Sequence, residues 1–170
     1  MKATDPGRVI LAVDPGVAAT GVVLLVGGRI TEAHTFRTKR VDDSFSDVLR
    51  RVNDQCDQVE LLAADQYRSE LHIAIESYED FGPHLRGAKN RWMTPMLLPL
   101  LEIDLRGYGA VYWQSPKTVL TATRTYRAHW ESGRRGLVPG DERLTNEHLR
   151  SAACHAVYLD GALRLGRGVA

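Results

Sequence analysis

The chain has 170 residues, 44% of them hydrophobic and 25% charged, with 22 Lys and Arg against 21 Asp and Glu. At roughly 100–200 residues per domain this predicts a single domain over residues 1–170, and the near-average composition argues against disorder, collagen-like repeats or a disulfide scaffold. The longest apolar runs, Val22 to Val26 and Met96 to Leu101, fall far short of the ~18 residues a membrane span requires. The opening MKATDPGRVI carries no secretory leader pattern. Cys56 and Cys154 are far apart, outside any CxxC spacing, so two free thiols and a cytoplasmic location are expected.

In chain order, Arg8 to Asp14 and Thr20 to Val26 are β-branched runs, and Gly27-Gly28 is a two-residue turn leading into Arg29 to Arg37, which makes a three-strand meander. Asp42-Asp43-Ser44 supplies capping residues. Phe45, Val48, Leu49, Val52, Cys56, Val59 and Leu62 then recur at helical spacing to about Tyr67. Leu71 to Glu76 reads as a buried strand and Tyr78 to Met93 as a polar loop. Thr94 is the expected cap of a helix with Pro95 at its first position, running to about Arg106. Ala110 to Gln114 is a fifth strand, Ser115-Pro116 opens a short helix, Arg124 to Arg143 reads as irregular and basic, and Thr145 to Leu165 closes the chain as a helix. The order βββαβαβαα predicts an α/β domain whose five-stranded mixed sheet joins an antiparallel meander to parallel strands, flanked by helices.

The basic residues are grouped. Arg37, Lys39 and Arg40 form one set, Arg86, Lys89 and Arg91 a second, and Lys117, Arg124, Arg127, Arg134 and Arg135 a third, with Trp92, Tyr126 and Trp130 among them. A basic strip with interleaved aromatics suits nucleic acid; scattered solvated arginines would leave the same pattern.

Three places carry candidate chemistry. Asp14 ends the first strand over Pro15-Gly16, where a carboxylate can hold a hard cation or contact a phosphate, although Asp-Pro-Gly is also a common turn. Glu76 ends the apolar strand LHIAIE, and such an acid is either partnered or simply solvated at the strand's end. His148, Ser151 and His155 share one face of the last helix, with Glu147 about a quarter turn away. His155 reads as a hydrogen-bonded structural histidine. Ser151 or Cys154 as a nucleophile for His155 lacks an elbow motif and a third orienting group.

The string ILAVDPGVAATGVVLL, the strand-terminal acid of IAIES, the VYWQSP strand and turn, and the closing helix NEHLRSAACHAVYL together resemble the RuvC-like Holliday-junction resolvases of the ribonuclease-H-like superfamily, nearest to the small forms carried by bacteriophages of actinobacteria. The resemblance covers nearly the whole chain in order, with the DPG segment its strongest part. It implies a metal-dependent endonuclease of DNA recombination and repair, with Asp14 and Glu76 as ligands of paired Mg²⁺ or Mn²⁺ ions. Two ions about 3.5–4 Å apart would activate water and stabilise the leaving 3′ oxygen.

On the last helix the family places two metal-site residues three apart. His148 matches the first, a ligand position, and Ser151 stands at the second, where the family has Asp. That departure motivates an alternative, a weakened or inactive branched-DNA-binding protein of the same fold. The resemblance further implies a base-stacking aromatic, Tyr78 or Phe81, and phosphate-gripping bases at Lys117, Arg124 and Arg127, beside the earlier group Arg86, Lys89 and Arg91. It implies a homodimer on a four-way junction in the cytoplasm of a bacterial host, and the helix with Met96, Leu97, Leu100 and Leu101 is the candidate for part of that interface, the alternative being ordinary core. A phosphotransferase of the actin and sugar-kinase fold shares the phosphate-loop look of DPGVAATG but needs two lobes, and no Walker-type loop is present.

Overall fold

A computed structural model describes residues 8–16, 19–39, 41, 44–66, 70–77, 93–131 and 141–166. Strands β1 (Val9–Asp14), β2 (Ala19–Val26) and β3 (Arg29–Arg37) form an antiparallel meander, and β4 (Leu71–Glu76) and β5 (Ala110–Gln114) extend it. The sheet order is β3-β2-β1-β4-β5, with β1 parallel to β4 and β4 parallel to β5. Gly27 and Gly28 both have positive φ, 57° and 84°, the backbone that a two-residue hairpin turn requires and that side chains with a Cβ resist.

Because side chains alternate across a strand, each strand feeds two cores. Val9, Leu11 and Val13 of β1, with Leu71, Ile73 and Ile75 of β4, pack against α1 (Phe45–Asp65) and α2 (Met93–Leu105). Ile10, Ala12, Val23, Leu25 and Ala74 face the opposite side. There they meet α5 (Glu147–Arg164), with Val119 of α3 (Pro116–Ala122) and Tyr126 of α4 (Arg124–Glu131). Ile10, Leu11, Ile73 and Ile75 are fully buried, each a stabilisation of about 1.5–3 kcal/mol relative to exposure. The face toward α5 is built of small residues on both sides, with Ala12, Gly21 and Ala74 opposite Ala152, Ala153 and Ala156, so the helix approaches the sheet closely. No helix among the described residues is long and apolar enough to cross a membrane.

Several sequence expectations are corrected. Arg124 to Arg143 is not irregular throughout: it contains α4 and a 3₁₀ turn at Asp141–Arg143. The amphipathic reason is Tyr126, which is buried and donates its hydroxyl to Asp141 Oδ1 at 3.3 Å, and is therefore not displayed for stacking. Thr94 is not a cap, because α2 already begins at Met93 and continues through Pro99 to Leu105. In α1, Val52, Cys56 and Val59 are buried while Phe45 is 68% and Leu49 37% exposed. The cap is Ser44, whose side chain accepts from Asp47 N. Leu97 and Leu101 of the expected dimer interface are fully buried in the chain's own core, and Met96 and Leu100 pack against it. Tyr67, Tyr78, Phe81, Arg86, Lys89, Arg91, Trp92, Arg40, Arg134, Arg135, Asp42 and Asp43 lie outside the described residues.

Candidate active site

The alternation that builds the two cores also selects the polar residues at the sheet's edge. On β1 the α5-facing series is Ile10, Ala12, Asp14; on β4 it is His72, Ala74, Glu76; on β5 it is Ala110, Tyr112, Gln114. These three strands are parallel neighbours, and Glu76 lies in register with Gln114, so Asp14, Glu76 and Gln114 end up in a row at one end of the sheet. Helix α5 crosses this row. Its start is held by Asn146, whose side-chain oxygen accepts from Leu149 N at 3.1 Å while its amide nitrogen donates to Thr35 Oγ1 of β3 at 2.8 Å.

Each carboxylate meets α5 differently. His148 Nδ1 lies 3.1 Å from Asp14 Oδ2. One turn on, Ser151 Oγ donates to Glu76 Oε2 at 2.7 Å, and His155 Nε2 reaches the same oxygen at 3.0 Å. The far ring nitrogen of His155, Nδ1, is 2.8 Å from the Gln114 side-chain amide. The group is graded in depth: the His148 side chain is 39% exposed, Glu76 22%, Asp14 13% and His155 0%.

Electrostatics separate the two acids. Burial pushes the Asp14 carboxyl above the usual carboxylate range; the His148 hydrogen bond opposes this, and the nearby Glu76 charge adds to it. Burial acts on Glu76 in the same direction, but the hydrogen bonds from His155 and Ser151 outweigh it and hold Glu76 below the usual range. The hydrogen bond to Asp14 raises His148, against the opposing effect of its own burial.

Two glycines of the first motif make this packing feasible. A Cβ on Gly16 would stand 2.3 Å from the Ala19 carbonyl oxygen and 2.8 Å from His148 Cε1, and one on Gly21 would stand 2.5 Å from the His148 carbonyl. The DPG and TG segments thus clear the space that His148 occupies above Asp14.

Among the described residues no three His, Cys, Asp or Glu side chains are gathered as a ready-made metal cage. The donors nevertheless suit one hard divalent cation. Asp14 and Glu76 repel each other, each has one oxygen hydrogen-bonded to α5, and Asp14 Oδ1 and Glu76 Oε1 make no hydrogen bond among the described residues. A second cation finds less, because Ser151 brings no charge.

The structure therefore gathers Asp14, Glu76, His148 and Ser151 into one cluster. Lys117 and Arg124 are exposed on α3 and α4, and Arg127 lines a cavity of about 380 Å³ together with Ser151, Glu147 and Arg150. Gln114 is the member that sequence reasoning missed, while His155, read as a hydrogen-bonded structural histidine, is hydrogen-bonded and has Glu76 and Gln114 as its partners. The signal that could have found it is the strand-end position of Gln114, matching Asp14 and Glu76.

No protein-family model matches the chain, and no curated protein matches its sequence. Among solved structures it is similar to Thermus thermophilus RuvC in complex with a Holliday junction substrate, with a TM-score of 0.68 at 19% identity over 94% of this chain and 96% of that one. It is also similar to the yeast mitochondrial Holliday junction resolvase, with a TM-score of 0.61 at 12% identity over 98% of this chain and 84% of that one. The human cytomegalovirus terminase nuclease domain aligns with a TM-score of 0.51 at 14% identity over 94% of this chain and 86% of that one. At such identities the likeness is one of fold: the chain has the RuvC-like form of the ribonuclease-H-like fold.

Proposed function

We propose that this protein is a metal-dependent, structure-selective DNA endonuclease that resolves Holliday junctions or other branched DNA, acting as a single nuclease domain. The observation that carries the reading is the pair Asp14 and Glu76 on neighbouring parallel strand ends, roofed by His148 and Ser151 of α5, in a fold shared with a RuvC seen on a Holliday junction. Asp14 and Glu76 would hold Mg²⁺ or Mn²⁺, with His148 beside Asp14 as a further ligand. When bound, the ion supplies an activated water and charge stabilisation for phosphodiester hydrolysis.

The chain's own residues do the rest. Glu76, kept ionised by its hydrogen bonds, is an anion ready for a cation at neutral pH. His148 sits at the mouth, where an incoming phosphate arrives, and Lys117, Arg124 and Arg127 supply positive charge along α3 and α4 to grip the DNA backbone. A homodimer places two such sites on the symmetric strands of a four-way junction, in the cytoplasm of a bacterial host.

A second reading is favoured by one observation. Ser151 fills the position of an expected carboxylate, and a protein of this fold that binds branched DNA with weakened or absent turnover would carry such a change. Cleavage of labelled four-way junction and linear duplex with Mg²⁺, Mn²⁺ or EDTA, run beside Asp14→Asn and Ser151→Asp, decides between them. Metal-dependent paired nicks lost in Asp14→Asn support the nuclease. Tight junction binding without cleavage, with turnover gained in Ser151→Asp, supports the binder.

A further inference from the structure

We infer that Gln114 and His155 are positioning residues for Glu76: a hydrogen-bond relay runs from the Gln114 amide through the buried His155 ring to Glu76 Oε2, and leaves Glu76 Oε1 as the oxygen offered to the cation. This rests on the reading of Asp14 and Glu76 as the cation-holding pair.

The geometry supplies the relay. Glu76 Oε2 takes two donors, Ser151 Oγ at 2.7 Å and His155 Nε2 at 3.0 Å, which fixes the plane of the carboxylate. The ring that delivers the second bond is wholly enclosed, so its proton on Nε2 cannot be exchanged for a water contact. Gln114 is 2% exposed and in register with Glu76 on the neighbouring strand.

One feature of Gln114 specifies the tautomer. With its amide oxygen 2.8 Å from His155 Nδ1, its Nε2 is buried and has no partner among the described residues. A buried orphan N–H is costly, because the water bond it gave up is not replaced. A half-turn of the amide exchanges oxygen and nitrogen in place, so that Nε2–H donates to Nδ1, and a carbonyl oxygen is the more tolerable orphan. The ring then carries its proton on Nε2, where it must donate to Glu76. Ser151 is accordingly a donor to Glu76, one turn before His155 on the same helix face, and not a substitute ligand.

The test is Mn²⁺ binding by calorimetry on the intact protein, together with two-bond ¹H–¹⁵N correlation spectra of the histidine rings. Wild-type protein should bind Mn²⁺ and Glu76→Gln should lose it. His155→Leu should weaken binding by about 10–100-fold, the usual effect of removing a ligand's hydrogen-bonded support. His155→Gln, which can still donate to Glu76, should recover part of that loss, and Gln114→Met should weaken binding in the same direction as His155→Leu.

Folded His155→Leu with wild-type Mn²⁺ affinity, while Glu76→Gln has lost it, overturns the relay and spares the cation site. Absence of Mn²⁺ binding in wild type, or undiminished binding in Glu76→Gln, overturns the cation site and the relay with it. Should His155→Leu fail to fold, the wild-type spectra still decide. A His155 ring protonated on Nε2 supports the relay, and a ring whose Nε2 carries no proton overturns it.

Discussion

Gly21 of β2 lies directly beneath His148 of α5: a Cβ there would stand 2.5 Å from both the carbonyl carbon and the carbonyl oxygen of His148, and 2.8 Å from its Cβ. The obstacle is backbone, not the end of a flexible side chain, so the helix itself must give way. Gly21→Ala is expected to destabilise the protein by about 1–3 kcal/mol, the range for overpacking a tight contact. It should also move His148 away from Asp14. Urea unfolding measures the first effect and Mn²⁺ affinity the second; wild-type values for both would show that α5 does not sit on β2 as described.

Asn146 ties the start of α5 both to its own first turn and to Thr35. Asn146→Ala removes the cap and the bridge to β3, and a loss of about 1–2 kcal/mol is expected from the cap alone. Since His148 lies two residues into the helix, junction cleavage should fall as well. The variant Asn146→Asp, which keeps the accepting oxygen, should retain most of the stability in thermal melts.

The pair His148 and Asp14 makes stability depend on pH. His148 is held above its ordinary value of 6.5, so its contribution is fully present below that value and is lost as pH rises through the folded-state value. Asp14 is also raised, and its effect has the same sign but falls in the carboxylate range above 3.8. Glu76 is lowered, so its contribution is present above 4.5 and lost as pH falls through its folded value. Of these three groups only His148 acts near neutrality. The stability difference between wild type and His148→Asn in metal-free buffer should therefore be largest at pH 5.5 to 6 and shrink by pH 8.5, as read by denaturant unfolding. An unchanged difference across that range would show that the pair is not coupled to folding.

Burial, with the negative charges of Asp104, Asp57 and Glu60, pushes the Cys56 thiol up to about 12, and Cys154 is buried against the opposite face of the sheet. The thiolate is the reactive form. Neither thiol should react with a disulfide reagent at pH 8 in the folded protein, and both should react in denaturant. Rapid labelling of Cys56 without denaturant would show that the α1 and α2 side of the core opens.

The strands were legible because their signal is local. The β-branched run in RVILAVD and the apolar run in LHIAIE identify β1 and β4, and the two-residue repeat of side chains along a strand dictates that Asp14 and Glu76 share a face once the strands are parallel. The Gly27-Gly28 turn was equally readable, as was the one-face placement of His148, Ser151 and His155. Helix α4 was not, since eight mostly polar residues are too short a stretch to identify a helix on their own, and its place in the fold depends on Tyr126 reaching the core and Asp141. The burial of Leu97 and Leu101 was ambiguous for a related reason: an apolar helix face is the same whether it meets its own sheet or another chain.

The sequence by itself determined which residues stand at strand ends and which share a helix face, because both follow from the fixed repeats of backbone geometry. Only the tertiary structure decided which partner each one meets. The angle and height at which α5 crosses β1, β4 and β5 are set by the packing of Gly21, Ala12 and Ala74 against its alanines. That placement assigns His148 to Asp14, gives Glu76 both Ser151 and His155, and buries Gln114 behind them. No local repeat encodes that crossing, since it arises from contacts between segments more than a hundred residues apart for β1 and about forty to eighty apart for β4 and β5.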